Sequence, residues 1–212
     1  MYKRQDGTLL DTSPDFLIAT NLLLQRHQKP KITQQQLAPY ITNGSAEIIE
    51  QVFQVARESE SFNALWTELL TLYSEHIADE THYYSGMEEV IKYIENNKLL
   101  WGIVTNKPST YSLPLLEQLN ISVNCCICPD HVSNAKPSPE GLLLACKQLH
   151  IKPSEAIFVG DHKRDIDAAK AANMRCIAAA YGFIMEGDFP SNWGADHLIN
   201  NPVEIIPILK GS

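Results

Sequence analysis

The sequence predicts an α/β protein: a Rossmann-like parallel sheet covered by helices on both faces, with a small α-helical module inserted near its start. Three observations carry this. From Ser85-Gly86 onward, short apolar runs alternate with amphipathic segments, the pattern of parallel strands buried on both sides. Between residues 14 and 82, apolar residues recur only at helical spacing, with no strand-like alternation. Polar clusters close several of the apolar runs. Right-handed crossovers bring the C-terminal ends of such strands to one edge, where ligands of this architecture bind.

In chain order, Asp6-Gly7-Thr8-Leu9-Leu10-Asp11-Thr12 stands almost at the N-terminus. Ser13-Pro14-Asp15 reads as a helix start: a Ser cap, Pro at the first helical position and an acid in the first turn. That helix is expected to reach His27, with Phe16, Ala19, Leu23 and Leu24 on one face. Residues 28–31 form a linker around Pro30, and Asn43-Gly44-Ser45 is a turn. Ile48, Ile49, Val52, Phe53 and Ala56 predict a helix over 46–57. Phe62, Leu65, Trp66, Leu69, Leu70 and Tyr73 predict another over 61–77.

Met87, Val90, Ile91 and Ile94 open the α/β pattern as a helix. Strands are expected over 99–105, 124–127, 156–159 and 175–180, and helices over 112–119, 140–150 and 165–172. The domains are then 1–13 with 83–212 for the α/β core, and 14–82 for the helical module.

The 212 residues are 44% hydrophobic and 20% charged, an ordinary globular balance. A net charge of -8 argues against nucleic acid or an anionic membrane as partner. No apolar run approaches the roughly 20 residues of a membrane span. Met-Tyr-Lys-Arg-Gln has no apolar segment behind it, so a secretory signal is not expected. Five cysteines, an odd number, point to free thiols in a reducing cytoplasm. Cys125-Cys126-x-Cys128 with His131 invites a zinc reading, but alternation sends strand neighbours to opposite faces and no second ligand pair follows. Trp101 and Trp193 read as packing residues, since no basic surface accompanies them.

Three strand-end clusters carry candidate chemistry. Thr105-Asn106-Lys107 offers a hydroxyl and backbone amides to phosphate oxygens; the plainer reading is a strand-end cap. Lys136, in a loop stiffened by Pro137 and Pro139, offers a positive charge to phosphate; alone it reads better as a solvated surface lysine. Asp161 and Asp165 put two carboxylates at one strand end, suited to a hard divalent cation or to capping the helix that follows.

Asp-Gly-Thr, the strand-end Thr105, Lys136-Pro137 and Gly160-Asp161-x-x-x-Asp165 occur in the order found in the haloacid dehalogenase-like (HAD) phosphatases, and the chain resembles that family over nearly its whole length. The resemblance implies a HAD-type core with segment 14–82 as its helical cap, and Mg²⁺ as cofactor. It implies that Asp6 protonates the leaving oxygen, activates water and ligates the metal through its carbonyl. Thr105 and Asn106 would bind phosphate, Lys136 would offset charge, and Asp161 would ligate the metal with Asp165 behind it. The family's signature is an apolar strand and then Asp-x-Asp-Gly-Thr, whose first Asp takes the phosphoryl group. Here that position is Arg4. His162 likewise stands where an acidic residue is expected.

Within the family, Trp101-Gly102, Cys128-Pro129-Asp130-His131 and Asn192-Trp193-Gly194-Ala195-Asp196 resemble the members that act on N-acetylmuramic acid 6-phosphate, with phosphoglycolate phosphatases as the alternative. The expectation is therefore a sugar-phosphate phosphatase by lineage, inactive as written, in which Tyr2–Gln5 stand in place of an apolar strand. Either the start of the chain is displaced, or the protein is a non-catalytic one that binds phosphate compounds.

Overall fold

The computed structural model describes residues 1–211, with the backbone alone for Tyr2 and Lys3. In chain order, β1 (Tyr2–Lys3) and β2 (Leu10–Asp11) lead into four helices: α1 (Ser13–Arg26), α2 (Gln34–Ile41), α3 (Ser45–Phe53) and α4 (Glu60–Glu75). Then follow β3 (His82–Tyr83), α5 (Met87–Asn96), β4 (Gly102–Val104), α6 (Ser109–Gln118), β5 (Cys125–Ile127) and α7 (Glu140–Gln148). The chain closes with β6 (Ile157–Gly160), α8 (Lys163–Ala171), β7 (Arg175–Ala179), β8 (His197–Ile199) and α9 (Ile205–Lys210). Two compact units result: residues 12–82, and residues 1–11 with the chain from Tyr83 onward.

In the second of these units the sheet runs β5-β4-β1-β6-β7-β8, parallel throughout. β1 is a central strand: Tyr2 pairs with Gly102 and Phe158, Lys3 with Ile103 and Val159. Its composition is unusual for that place, because a strand covered on both faces normally reads as a Val/Ile/Leu run, as Ile157-Phe158-Val159 does. The pairing comes from the backbone, and Arg4 N–H extends the ladder to Val159 O at 3.1 Å. A lysine in such a strand needs a partner or an exit to solvent, and the Lys3 side chain lies outside the described residues. Leu142, Ile166, Cys176, Trp193 and Phe158 pack into one buried cluster, which gives Trp193 the packing role expected of it.

Several boundaries differ from expectation for identifiable reasons. β4 is shorter than the apolar run 99–105, because Leu99 N–H still closes α5 on Ile94 O and Leu99 and Leu100 stay 41% and 42% exposed. α1 starts at Ser13 rather than being capped by it. α3 stops at Phe53, where Gln54 turns left-handed. α2 lies in the helical module but was not set out as a separate helix. Thr33 and Gln36 nevertheless form a reciprocal capping box, a signal the sequence carried. The segment from 14 to 82 is not wholly free of strand: its last residue, His82, belongs to β3, which pairs with β2. Among the described residues, no helix is long and apolar enough to cross a membrane.

Candidate active site

Because β4, β1 and β6 are adjacent and parallel, Thr105, Arg4 and Asp161 leave the sheet on the same edge. The turn after β1 is tight: Leu9 and Leu10 N–H both donate to Gln5 O, and Gly7 N–H donates to Leu10 O at 2.9 Å. Gly7 has φ +78°, and a Cβ there would lie 2.0 Å from Asp161 Oδ2. A Cβ at Gly182 would fall 2.1 Å from Gly7 O and 2.3 Å from Asp161 Cβ. The two glycines thus leave the room in which the Asp161 carboxylate sits.

Asp161 accepts from Thr8 Oγ1 at 2.7 Å and from Phe183 N–H at 3.1 Å. Asp165 pairs with Lys136 Nζ at 2.8 Å. One atom, Arg4 NH1, lies 3.3 Å from both Asp161 Oδ1 and Asp165 Oδ2. Both carboxylate side chains are 0% exposed, and the Arg4 side chain is 12% exposed. Lys107 Nζ reaches Asp6 Oδ1 at 3.4 Å.

The residues named from sequence gather here, with different local duties. Lys136 is not a solvated surface lysine: it is buried, donates to Val104 O at 2.7 Å and lies over the Phe158 ring. The Asn106 amide brackets the Lys136 backbone, donating to its carbonyl at 3.0 Å and accepting its N–H at 3.1 Å. That side chain anchors the lysine loop. Thr105 Oγ1 accepts from Lys107 N–H at 3.0 Å, and its own proton can still be donated. Neither Asp161 nor Asp165 is the N-cap of α8; His162 is, through Nδ1, which accepts from Arg164 N–H at 3.0 Å. Sequence reasoning gave no role to the side chains of Lys107, Thr8 and Tyr181, whose hydroxyl donates to Thr8 O at 3.0 Å. Thr8 and Lys107 carried a signal, since each adjoins a motif residue. The Cys126 and Cys128 sulfurs lie 3.8 Å apart, and His131 Nδ1 accepts from Cys128 N–H rather than from a thiol.

The electrostatics follow from this packing. Burial works against the Arg4 charge, but Asp161, Asp165 and Asp6 outweigh it and hold the guanidinium above its ordinary pKa. Burial also acts to raise Asp165, and Lys136 with Arg4 overcomes it, so that carboxyl titrates below its usual range. For Asp161 burial wins and the pKa rises, against Arg4 and the two hydrogen bonds it accepts. Lys136 is pushed down by burial and by Arg4.

His162 stacks near Trp193 and is pushed down to about 4 by burial, Arg164 and Arg4. Its folded value lies below the ordinary 6.5, so the unfolded chain binds more protons in between. The stability held above pH 6.5 is expected to fall as pH drops from there toward about 4. Melting curves of the unaltered chain and of His162→Gln across this window check it. The variant's decline is expected to be shallower, and equal slopes would remove His162 as a cause.

The family model described as haloacid dehalogenase-like hydrolase matches residues 5–179. The chain belongs to the haloacid dehalogenase-like hydrolases. It is 39% identical over 209 residues to the N-acetylmuramic acid 6-phosphate phosphatase of Pseudomonas putida, covering 98% of this chain and 94% of that protein. It is 34% identical over 202 residues to a phosphoglycolate phosphatase of Xanthomonas campestris, covering 94% of this chain and 91% of the other. Among solved structures, a predicted phosphoglycolate phosphatase from Haemophilus somnus superposes with a TM-score of 0.85 at 21% identity, over 98% of this chain and 96% of that one. That last likeness speaks for the fold.

This HAD hydrolase does not present an open set of ligands for the family's divalent cation. Asp6, Asp161 and Asp165 do converge on one edge, yet NH1 of Arg4 stands within 3.3 Å of both buried carboxylates. Among the described residues, no group of three or more His, Cys, Asp or Glu side chains is arranged to hold a metal ion.

Proposed function

We propose that this sheet edge is the phosphate site of a sugar-phosphate phosphatase lineage, with N-acetylmuramic acid 6-phosphate as the ligand it fits, and that the chain as it stands binds without hydrolysing. The observation that carries this is Arg4 at the nucleophile position with its guanidinium between Asp161 and Asp165. An aspartyl-phosphate needs a carboxylate there, and a guanidinium is not nucleophilic at any usable pH.

The remaining parts suit a phosphate monoester. Thr105 donates its hydroxyl proton to a phosphate oxygen, the Asn106 N–H adds a donor, and Lys136 offsets charge. Lys107 brings a further positive charge beside Asp6. In a chain with a carboxylate at position 4, Asp6 is the group that would protonate the leaving oxygen. Mg²⁺ belongs to that form of the site, with Asp161 as ligand and Asp165 behind it. The helical unit 12–82 corresponds to the family's cap, in a cytoplasmic protein. The choice of ligand is supported by the 39%-identical relative, an N-acetylmuramic acid 6-phosphate phosphatase.

Calorimetric titration of the unaltered chain tests the reading with three compounds: N-acetylmuramic acid 6-phosphate, phosphoglycolate and unphosphorylated N-acetylmuramic acid. The first is expected to bind at least about tenfold tighter than the second, and the third not at all. Tighter binding of phosphoglycolate would move the site to that substrate class. Equal binding of the unphosphorylated sugar would remove phosphate as the recognised group.

A further inference from the structure

The geometry points to Arg4 as the resident cation of this site: its guanidinium takes the place of a divalent metal ion between Asp161 and Asp165, and the chain binds no such ion there.

The charge balance leads to this. Among the described residues, the ion pairs at the edge join three carboxylates, Asp6, Asp161 and Asp165, to three cations, Arg4, Lys107 and Lys136. Their formal charges cancel. With a carboxylate at position 4, as in the family's signature, four carboxylates would face two lysines. The shortfall would be two positive charges, which is the charge of one Mg²⁺. Exchanging carboxylate for guanidinium supplies the same two units from within the chain.

Burial makes such a cation necessary. Asp161 and Asp165 are both 0% exposed, and carboxylates taken out of water need a partner or must take up protons. Geometry says where the cation stands. NH1 is 3.3 Å from one oxygen of each carboxylate, so one nitrogen bridges the pair. A Mg²⁺ ion sharing those oxygens would need to approach each to about 2.1 Å, in the space NH1 holds. The guanidinium cannot leave by losing its proton. Nor is it a mobile surface group, since the backbone of Arg4 is tied to Val159 O in the central ladder. Both contacts use one end of a five-donor fork, and at 12% exposure the fork stays reachable by an anion. The inference rests on the proposed phosphate site only for that anion; the cation exchange stands on the carboxylates alone.

The test compares the unaltered chain, Arg4→Asp and Arg4→Met, each titrated with Mn²⁺ and each melted with Mn²⁺ or with EDTA. The unaltered chain is expected to give no saturable Mn²⁺ heat and a Tm shift under about 1 °C. Arg4→Asp is expected to bind Mn²⁺ and to gain about 5 °C or more at saturation. Arg4→Met supplies the comparison should Arg4→Asp fold poorly, because it frees the same oxygens without adding a charge. In a further arm, inorganic phosphate is titrated into the unaltered chain, and equal affinity with Mn²⁺ or EDTA is expected. Saturable Mn²⁺ binding by the unaltered chain would overturn the inference, as would the absence of any gain in both variants. Absence of phosphate binding alongside metal indifference would sink the phosphate reading and leave Arg4 as the resident cation.

Discussion

Arg4→Asp is expected to release phosphate from N-acetylmuramic acid 6-phosphate with added Mg²⁺, by on the order of a thousandfold or more over the unaltered chain, which is expected to release none. Phosphoryl transfer depends on positioning and charge stabilisation, and the proposed site already brings Asp6, Lys107, Lys136, Asp161 and Asp165 into ion pairs at this edge. Position 4 is held by backbone pairing of its strand to β4 and β6 and by its own N–H on Val159 O. A carboxylate introduced there leaves the sheet on the edge that also carries Thr105 and Asp161. Removing the guanidinium also frees Asp161 and Asp165 from NH1. Arg4→Asn is the control: it frees the same carboxylates, supplies no nucleophile, and is expected to stay inactive. Phosphate release by the unaltered chain that survives rigorous purification, and is lost in Asp6→Asn, would overturn position 4 as the nucleophile site.

The same residues show what a sequence can and cannot disclose. Strand β6 was legible because Ile157-Phe158-Val159 is buried on both faces and must be apolar throughout. Its neighbour β1 was not, because two residues of Tyr-Lys carry no apolar run and owe their place to partners on either side. The convergence of Thr105, Lys136, Asp161 and Asp165 was legible from their positions at strand ends and loops of one parallel sheet. What joins them was hidden. Arg4 and Asp165 are separated by 161 positions, and nothing local marks them as partners. Lys136 read as a surface residue because lysines usually are; its burial depends on Asp165, Val104 and the Asn106 brackets, all supplied by other segments. The cap of α8 fell to His162 because Asp161 turns inward toward Thr8 and Phe183. Local propensity saw two acids at a helix start, and tertiary contacts reassigned both.

Asp165→Ala is expected to be the most destabilising single change at this edge, by about 3–5 kcal/mol. The carboxylate lies between two buried cations, 2.8 Å from Lys136 Nζ and 3.3 Å from Arg4 NH1. Its removal leaves the Lys136 side chain, 2% exposed, with Val104 O but no counter-charge, and leaves Arg4 with Asp161 alone. Burial already works against the Lys136 charge, so losing its carboxylate would drive it toward the neutral form. Lys136→Met is expected to cost less, because Asp165 keeps Arg4 and the methionine fills the stem's place against Phe158. In the double variant the stranded charge is gone, so its cost is expected to fall short of the two single costs added together by about 1–3 kcal/mol. Urea unfolding in a Trp66→Phe background measures this, since Trp101 and Trp193 then report on the unit that holds the sheet. Additive costs, or a loss under about 1 kcal/mol for Asp165→Ala, would show that the buried cluster is not held together by charge.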